Sequence, residues 1–393
     1  MSFRETARHY ELVLESIFEP QPRNPQKERK QNVKNFDEII TDQTKTAVKI
    51  PQSDYLKSGK YRIFDQGKEY SAGFSNEEIG AVKDFPYIIF GDHTRAVKFV
   101  NEPCFIGADG VKLLKVTNAS FDAKYIYYNI LAKPIESHGY TRHFKFLKEI
   151  KFTEKTLSEQ KKIVTHLDRI QNAIDSKKKQ LVQLDELAKS KFVKMFGENP
   201  AESGKWLVKP LNRISDVRDG THGSPAYYPK GYPFITTKNF VDGTIDYSTA
   251  SFICEEDYRH FDKRSHVDNG DILLPMIGTI GGAILVKKEC DFAIKNVALI
   301  KHENENLNFK YLLNVLNSDF MNAYFLQFRS GGTQKFISLN FIRNLSIPVP
   351  PLALQVQFAS YVQKIDSAKD IVKSQLKDLR ELLDNKMDFY FGE

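Results

Sequence analysis

The chain has 393 residues, of which 41% are hydrophobic and 27% charged, and it carries a formal net charge of +7. This length predicts two or three domains with sizeable cores. It contains no run of about 18 apolar residues, and its first residues lack the apolar centre of a secretory signal. We therefore expect a soluble, cytoplasmic protein that does not enter a membrane.

The predicted elements of the first half are one helix, a group of short strands and a second helix. An amphipathic helix at about residues 4–18 precedes a polar, proline-bearing loop. Short β-rich runs broken by Gly, Asp and Asn occupy residues 61–116, and a helix is expected at about 122–132. The segment GYTRHFKFL follows.

The second half repeats this order. YPFITT, SFIC, DILLPMIG, GAILV, FAIK and VALIKH are predicted strands, and a helix near 308–328 leads to SGGTQKFISL. Each half is therefore predicted to be an α+β domain that leads into a long helix.

The long helices are copies of one another. Residues 152–198 align with 347–393 without a gap, and 15 of the 47 positions are identical, including the terminal Phe-Gly-Glu of both copies. The domains before them align less closely: Cys104 matches Cys290, and Lys124-Tyr125 matches Lys310-Tyr311. We infer a tandem duplication with boundaries at 1–151, 152–198, 199–346 and 347–393, in which a shared scaffold carries different loops.

Both helices show an a/d heptad pattern of apolar residues, typical of helices that pack as a coiled coil. The positions expected at this packing are Leu167, Ile170, Ile174, Leu181 and Leu184 in the first copy and Val362, Ile365, Val372, Leu376 and Leu379 in the second. Lys177 and Lys369 interrupt the two seams at different places. These lysines either fix the register of the pair or extend from the edge of the seam to water.

Several kinds of catalytic and metal site have no support in the sequence. The cysteines Cys104, Cys254 and Cys290 lack paired spacing, and the histidines show no ligand spacing, so neither a disulfide framework nor a metal site is expected. No phosphate-binding GxxxxGK[ST] motif occurs. The single Pro-Pro pair, Pro350-Pro351, precedes a helix and is interpreted as a helix start.

Several segments of the second half carry a family resemblance. GDILLPMIGTIGGAILV, KNVALI, FKYLLNVLNSDF and SGGTQKFISLNFIRNLSIPVPPLALQVQF, with the FGE ends of both helices, resemble the specificity subunit of Type I restriction-modification enzymes. The likeness extends from about residue 60 to the end. The first half departs from the pattern, since it has YIIFGDHTRAVKFV in place of a GTIG-type turn.

The resemblance implies two target recognition domains, each reading half of a split DNA site, related by a pseudo-two-fold axis. The two conserved helical regions between them would pack as an antiparallel coiled coil and set the spacer between half-sites. It further implies a non-catalytic subunit that binds double-stranded DNA, two adenine methyltransferase subunits and restriction or motor subunits. S-adenosylmethionine, ATP and Mg would then be bound by those partners, and this chain would need no cofactor. A fused methyltransferase with an unrecognised catalytic domain and a two-domain scaffold for proteins remain the alternatives.

DNA contacts in such a protein are expected from donor side chains on loops, because these can bond phosphates and base edges. The candidates in the first domain are His93, Thr94, Arg95, Tyr140, Arg142 and His143. Those in the second domain are Thr221, His222, Thr237, Lys238, Asn239, Thr279, Thr333, Gln334 and Lys335. A solvated loop or turn cap is the alternative interpretation at each position.

Overall fold

A computed structural model of the chain describes residues 32–107, 109–139, 141–277, 281–327 and 336–392. The predicted helix at 4–18 lies outside these ranges, as do Tyr140, Thr279, Thr333, Gln334 and Lys335. The chain forms two compact units. The first comprises Met1–Asn172 with Arg380–Glu393, and the second comprises Ala173–Leu379.

The described residues of the first unit form ten strands and two short α-helices. The strands are β1 (Val33–Asn35), β2 (Ile40–Asp42), β3 (Lys49–Ile50), β4 (Tyr61–Phe64), β5 (Gly73–Ser75), β6 (Tyr87–Gly91), β7 (Val97–Val100), β8 (Cys104–Gly107), β9 (Val111–Val116) and β10 (Lys151–Thr153). The helices are α1 (Ala123–Ala132) and α2 (Phe144–Leu147). One antiparallel sheet has the order β2-β9-β6-β7, and a second sheet has the order β3-β8-β4-β5, in which β8 runs parallel to β3 and β4.

A long helix, α3 (Leu157–Phe196), begins in the first unit and ends in the second. The strands of the second unit are β11 (Leu207–Pro210), β12 (Val217–Asp219), β13 (Tyr232–Ile235), β14 (Phe240–Val241), β15 (Thr244–Ile245), β16 (Ser251–Ile253), β17 (Ile272–Pro275), β18 (Ile284–Leu285), β19 (Ala293–Ile294), β20 (Val297–Ile300) and β21 (Ser346–Val349). Its short helices are α4 (Glu255–Ser265), α5 (Phe309–Leu316), α6 (Asp319–Gln327) and α7 (Leu339–Arg343). The second long helix, α8 (Leu352–Phe391), begins in this unit and ends in the first.

The two units share one topology. The sheet β12-β20-β17-β18 repeats the order of β2-β9-β6-β7, and the parallel pair β13 and β19 repeats β4 and β8. In each unit the strand that directly precedes a long helix pairs antiparallel with an earlier strand, β10 with β1 and β21 with β11. The prediction of two similar α+β domains is therefore confirmed.

A buried glutamine ties the start of each long helix to its own domain. Gln160 and Gln355 are both fully buried. Gln355 Oε1 accepts from Asn308 N at 2.9 Å, and its Nε2 donates to Pro350 O at 2.8 Å. Gln160 repeats this arrangement with Asp122 N at 2.7 Å and Lys155 O at 2.8 Å. The identity of these two residues in the duplicated sequence thus has a structural reason.

The same duplication appears in the short helices. Lys124 of α1 bonds Asp168 at 2.8 Å, and Lys310 of α5 bonds Asp366 at 2.7 Å. The tyrosine that follows each lysine is buried and donates to a backbone carbonyl. Burial raises the pKa of Tyr125 to about 12. The Lys-Tyr pairs that align in sequence therefore hold equivalent places in the two folds.

Within each unit, the segments of α3 and α8 run antiparallel. In the second unit Phe192 packs on Phe358, with ring centroids 5.6 Å apart. Nearer the other end of this pair, Asp185 bonds Lys369 at 2.5 Å. In the first unit, His166 Nδ1 lies 2.9 Å from the Tyr390 hydroxyl. The antiparallel packing predicted for the helices is therefore confirmed within each unit.

The heptad positions are buried with two exceptions. Eight are 6% exposed or less, namely Leu167, Ile170, Ile174, Val362, Ile365, Val372, Leu376 and Leu379. Leu181 and Leu184 are only half-buried. The seam lysine Lys369 reaches the opposite helix through its ion pair with Asp185, which favours a role in register. Burial lowers the pKa of Lys177, which lies 3.4 Å from Gln180 on its own helix.

Candidate nucleic-acid interface

Three strands of the second unit end at one edge. Because β13 and β19 are parallel, with Ile235 opposite Ile294, their carboxyl ends lie side by side. The segment after β12 joins them, since Thr221 N donates to Ile294 O and Thr221 O accepts from Asn296 N, both at 3.1 Å. The loops that follow the three strands therefore start from adjacent points.

Gly220 allows this close approach. A Cβ atom at Gly220 would lie 2.3 Å from the carbonyl oxygen of Ile294. Asn296 adopts a φ of 56°, a left-handed conformation that asparagine tolerates better than most residues. These two residues let the chain turn away from the edge directly after the strands.

The side chains at this edge are donors and acceptors held by one another. His222 Nδ1 lies 2.7 Å from Asn296 Oδ1, and His222 Nε2 lies 3.0 Å from Asp219 Oδ2. Lys295 Nζ donates to Ser224 Oγ at 2.6 Å. His222 and Ser224 are exposed. Such an edge presents imidazole, hydroxyl and ammonium groups to solvent, a set that suits phosphate and base-edge contacts.

The loop after β13 carries three predicted contact residues with different placements. Lys238 is exposed and Thr237 is half-buried, whereas Asn239 is only 3% exposed. Asn239 Oδ1 accepts from Thr236 N at 2.9 Å, and its Nδ2 donates to Thr249 Oγ1 at 3.2 Å. Both ends of the amide are thus engaged within the domain, which favours a structural role for Asn239. Lys238 remains available for a contact outside the domain.

In the first unit the two predicted loop segments are brought together. His93 Nδ1 lies 3.2 Å from Thr141 O, and Asp92 Oδ1 accepts from Phe144 N at 2.8 Å. Thr94 and Arg142 are exposed on these segments. The structure therefore brings the β6–β7 turn and the loop before α2 together. A DNA-contact surface made of the candidates in these two segments needs this proximity.

Two predicted residues of the first unit serve the fold. His143 is fully buried, and its Nδ1 lies 3.0 Å from Asp92 O while its Nε2 accepts from His138 N at 3.3 Å. Arg95 adopts a φ of 63° and donates to Ile135 O at 3.0 Å. Their placement favours internal contacts over contacts with DNA.

Sequence reasoning missed several residues near the edge where β12, β13 and β19 of the second unit end. Arg264 binds Asp219 from a helix 45 positions away, and a contact of this kind leaves no local pattern. Lys295 and Asn296 follow a strand of only two residues, which was expected as part of a longer run. Tyr227 and Tyr228, 55% and 46% exposed in the segment between β12 and β13, were also not among the candidates.

The described residues contain no cluster of three His, Cys, Asp or Glu side chains that could hold a metal. The three cysteines are free, and burial raises the pKa of the Cys104 thiol to about 12. Among the helices in the described ranges, none is long and apolar enough to cross a membrane.

Comparison with known proteins relates the chain to one family. Residues 205–381 match the family model described as the Type I restriction modification DNA specificity domain. The chain is 24% identical over 359 residues to the specificity subunit of the Type I restriction enzyme MjaVIII of Methanocaldococcus jannaschii, covering 84% of this chain and 81% of that protein. It is 23% identical to the EcoBI specificity subunit of Escherichia coli, covering 58% of this chain and 54% of that protein.

Solved structures share the fold. The crystal structure of the Type I restriction-modification S subunit from M. genitalium matches with a TM-score of 0.54 and 15% identity, covering 94% of this chain and 97% of that one. A chain from a study of complex assembly in the type I R-M system matches with a TM-score of 0.51 and 14% identity, covering 95% of this chain and 99% of that one. Residues 205–381 therefore carry the Type I restriction modification DNA specificity domain, and over most of its length the chain is similar to a specificity subunit of a Type I restriction enzyme.

Proposed function

We propose that this chain is the non-catalytic DNA reader of its complex and that each α+β domain reads one half of a split site on double-stranded DNA. The observation that carries this proposal is the convergence of three strand ends in the second domain, where His222, Lys295 and Asn296 gather on one edge. The first domain has the same scaffold with different loops, so it is expected to read a different sequence.

Chemistry is assigned to partner subunits. We propose that the chain positions two adenine methyltransferase subunits, which bind S-adenosylmethionine, and restriction or motor subunits, which bind ATP and Mg, and that it acts in the cytoplasm. Its Pro350-Pro351 pair supports this division, because Pro350 O accepts from Gln355 Nε2 at the start of α8. The pair thus belongs to a helix start and differs from the Pro-Pro loop that holds a flipped adenine in a methyltransferase.

Two assays test the proposal against its alternatives. The purified chain alone is expected to bind duplex DNA with strong salt dependence and to transfer no methyl group until methyltransferase subunits are added. Methyl transfer by the chain alone, free of partner contamination, would support a fused methyltransferase. Absence of salt-dependent DNA affinity would support a protein-binding scaffold.

A further inference from the structure

Asp219 occupies an unusual place at the end of β12. Its side chain is 7% exposed, yet it bonds two side chains from different elements. Oδ2 faces His222 Nε2 from the following loop, and Oδ1 accepts from the guanidinium of Arg264 near the end of α4. One buried carboxylate therefore fixes two basic side chains.

The exposure of these partners distinguishes the arrangement from an ordinary buried ion pair. In the same domain, Lys301 and Asp271 form a pair at 2.7 Å in which both side chains are buried, at 7% and 1% exposure. Arg264 and His222 are instead 64% and 56% exposed. A guanidinium has five N–H donors, so the exposed part of Arg264 keeps donors for a further anion.

Helix α4 is oriented so that its basic side faces solvent. Tyr258 stacks on Tyr232 of β13 with ring centroids 4.1 Å apart, and Phe261 packs on Phe234 at 5.9 Å. The exposed residues of the last two turns are Arg259, His260, Lys263 and Arg264. The apolar face thus packs on the sheet. The exposed basic face includes Arg264, which shares the Asp219 carboxylate with His222.

The first domain has no counterpart of this arrangement in its described residues. By strand register, Asp42 opposite Leu114 corresponds to Val217 opposite Ile300, which places Thr44 at the position of Asp219. Thr44 accepts from Leu113 N at 2.9 Å and binds no cation. The connection from β5 to β6 also contains no helix comparable to α4. The feature is therefore a property of the second domain.

We propose that Asp219 is a positioning residue for DNA binding, which holds Arg264 as a donor for the phosphate backbone at the second half-site and fixes His222 beside it. This inference rests on the proposed function and specifies which residues perform it. A bidentate guanidinium is well suited to a phosphate, and fixing it beforehand reduces the conformational entropy lost on binding.

The test measures binding of the full chain to a fluorescein-labelled duplex of mixed sequence over a range of salt concentrations. R264A is expected to weaken binding about tenfold and to reduce the salt slope by about one unit, as for loss of one phosphate contact. D219N is also expected to weaken binding about tenfold, although it removes a negative charge. If Asp219 acted only through its charge, D219N would bind DNA more tightly, because repulsion of phosphates would fall.

A matched control lies on the same strand. Arg218 bonds Asp216 at 2.7 Å, and its side chain points to the opposite face of β12 from Asp219. R218A is expected to retain affinity within about twofold of wild type. Because Arg264 is exposed, R264A is expected to fold normally, so it tests the contact even if D219N lowers the melting temperature.

The DNA affinities of combined variants distinguish a positioning role of Asp219 from a general structural defect. In a chain that already carries H222A and R264A, adding D219N is expected to change affinity by less than about twofold, since Asp219 acts through those two residues. Wild-type affinity for R264A, or equal or tighter binding by D219N, would overturn the inference. Loss of salt-dependent binding by the wild-type chain itself would instead refute the proposed function.

Discussion

Gln355 is expected to be a major source of stability in the second unit, and Gln355→Leu tests this. The substitution keeps a similar volume but leaves Asn308 N and Pro350 O without the partners that lie at 2.9 and 2.8 Å. Each buried polar group left unpaired costs about 1–3 kcal/mol, and the added apolar surface returns about 1 kcal/mol. For the two groups together, the free energy of unfolding should therefore fall by about 1–5 kcal/mol.

The single tryptophan of the chain provides a local probe. Trp206 lies in the second unit, where its Nε1 donates to Phe196 O at 2.9 Å at the end of α3. Urea unfolding followed by Trp206 fluorescence should show a midpoint lower by about 0.5–2.5 M, given a typical dependence of about 2 kcal/mol per M. Gln357→Leu on the exposed face of α8 is the matched control and should leave the midpoint unchanged. Equal midpoints for the two variants would refute the reasoning.

Three further predictions follow from the second domain. Gly220→Ala should lower the Trp206 midpoint because the new Cβ would meet Ile294 O at 2.3 Å, whereas Gly223→Ala has room and should not. Asn239→Ala should cost about 1–3 kcal/mol of stability, measured in the same way, because its amide ties the turn together; unchanged stability would return Asn239 to the DNA-contact candidates. Exchanging residues 199–346 for the domain of a relative should change one half of the methylated motif, as read by methylome sequencing, and a change in both halves would contradict independent reading.

The parts of the fold that repeat in the sequence were predictable. The heptads placed Leu167, Val372 and their neighbours at the helix packing because burial and helical period together dictate that pattern. The match of Lys124-Tyr125 with Lys310-Tyr311 similarly anticipated two domains of one topology. Repetition supplies a second copy against which each weak local signal can be checked.

The candidate site was less predictable because its contacts are not local. A polar residue in a loop can contact DNA or cap a turn, and the sequence of Asn239 or His143 does not distinguish these roles, whereas their burial does. Arg264 reaches Asp219 only after α4 packs on β13, so its position depends on tertiary structure. Donor chemistry alone therefore selects some residues that serve the fold, such as His143, and omits residues such as Arg264 whose place depends on packing.

The central claim is that this chain determines which adenines its complex methylates. Single-molecule sequencing of methylated adenines in cells with and without the gene, with the methyltransferase subunits present in both, tests it most directly. The account predicts one split motif that is methylated only when the gene is present. Identical methylomes in the two strains would contradict the account.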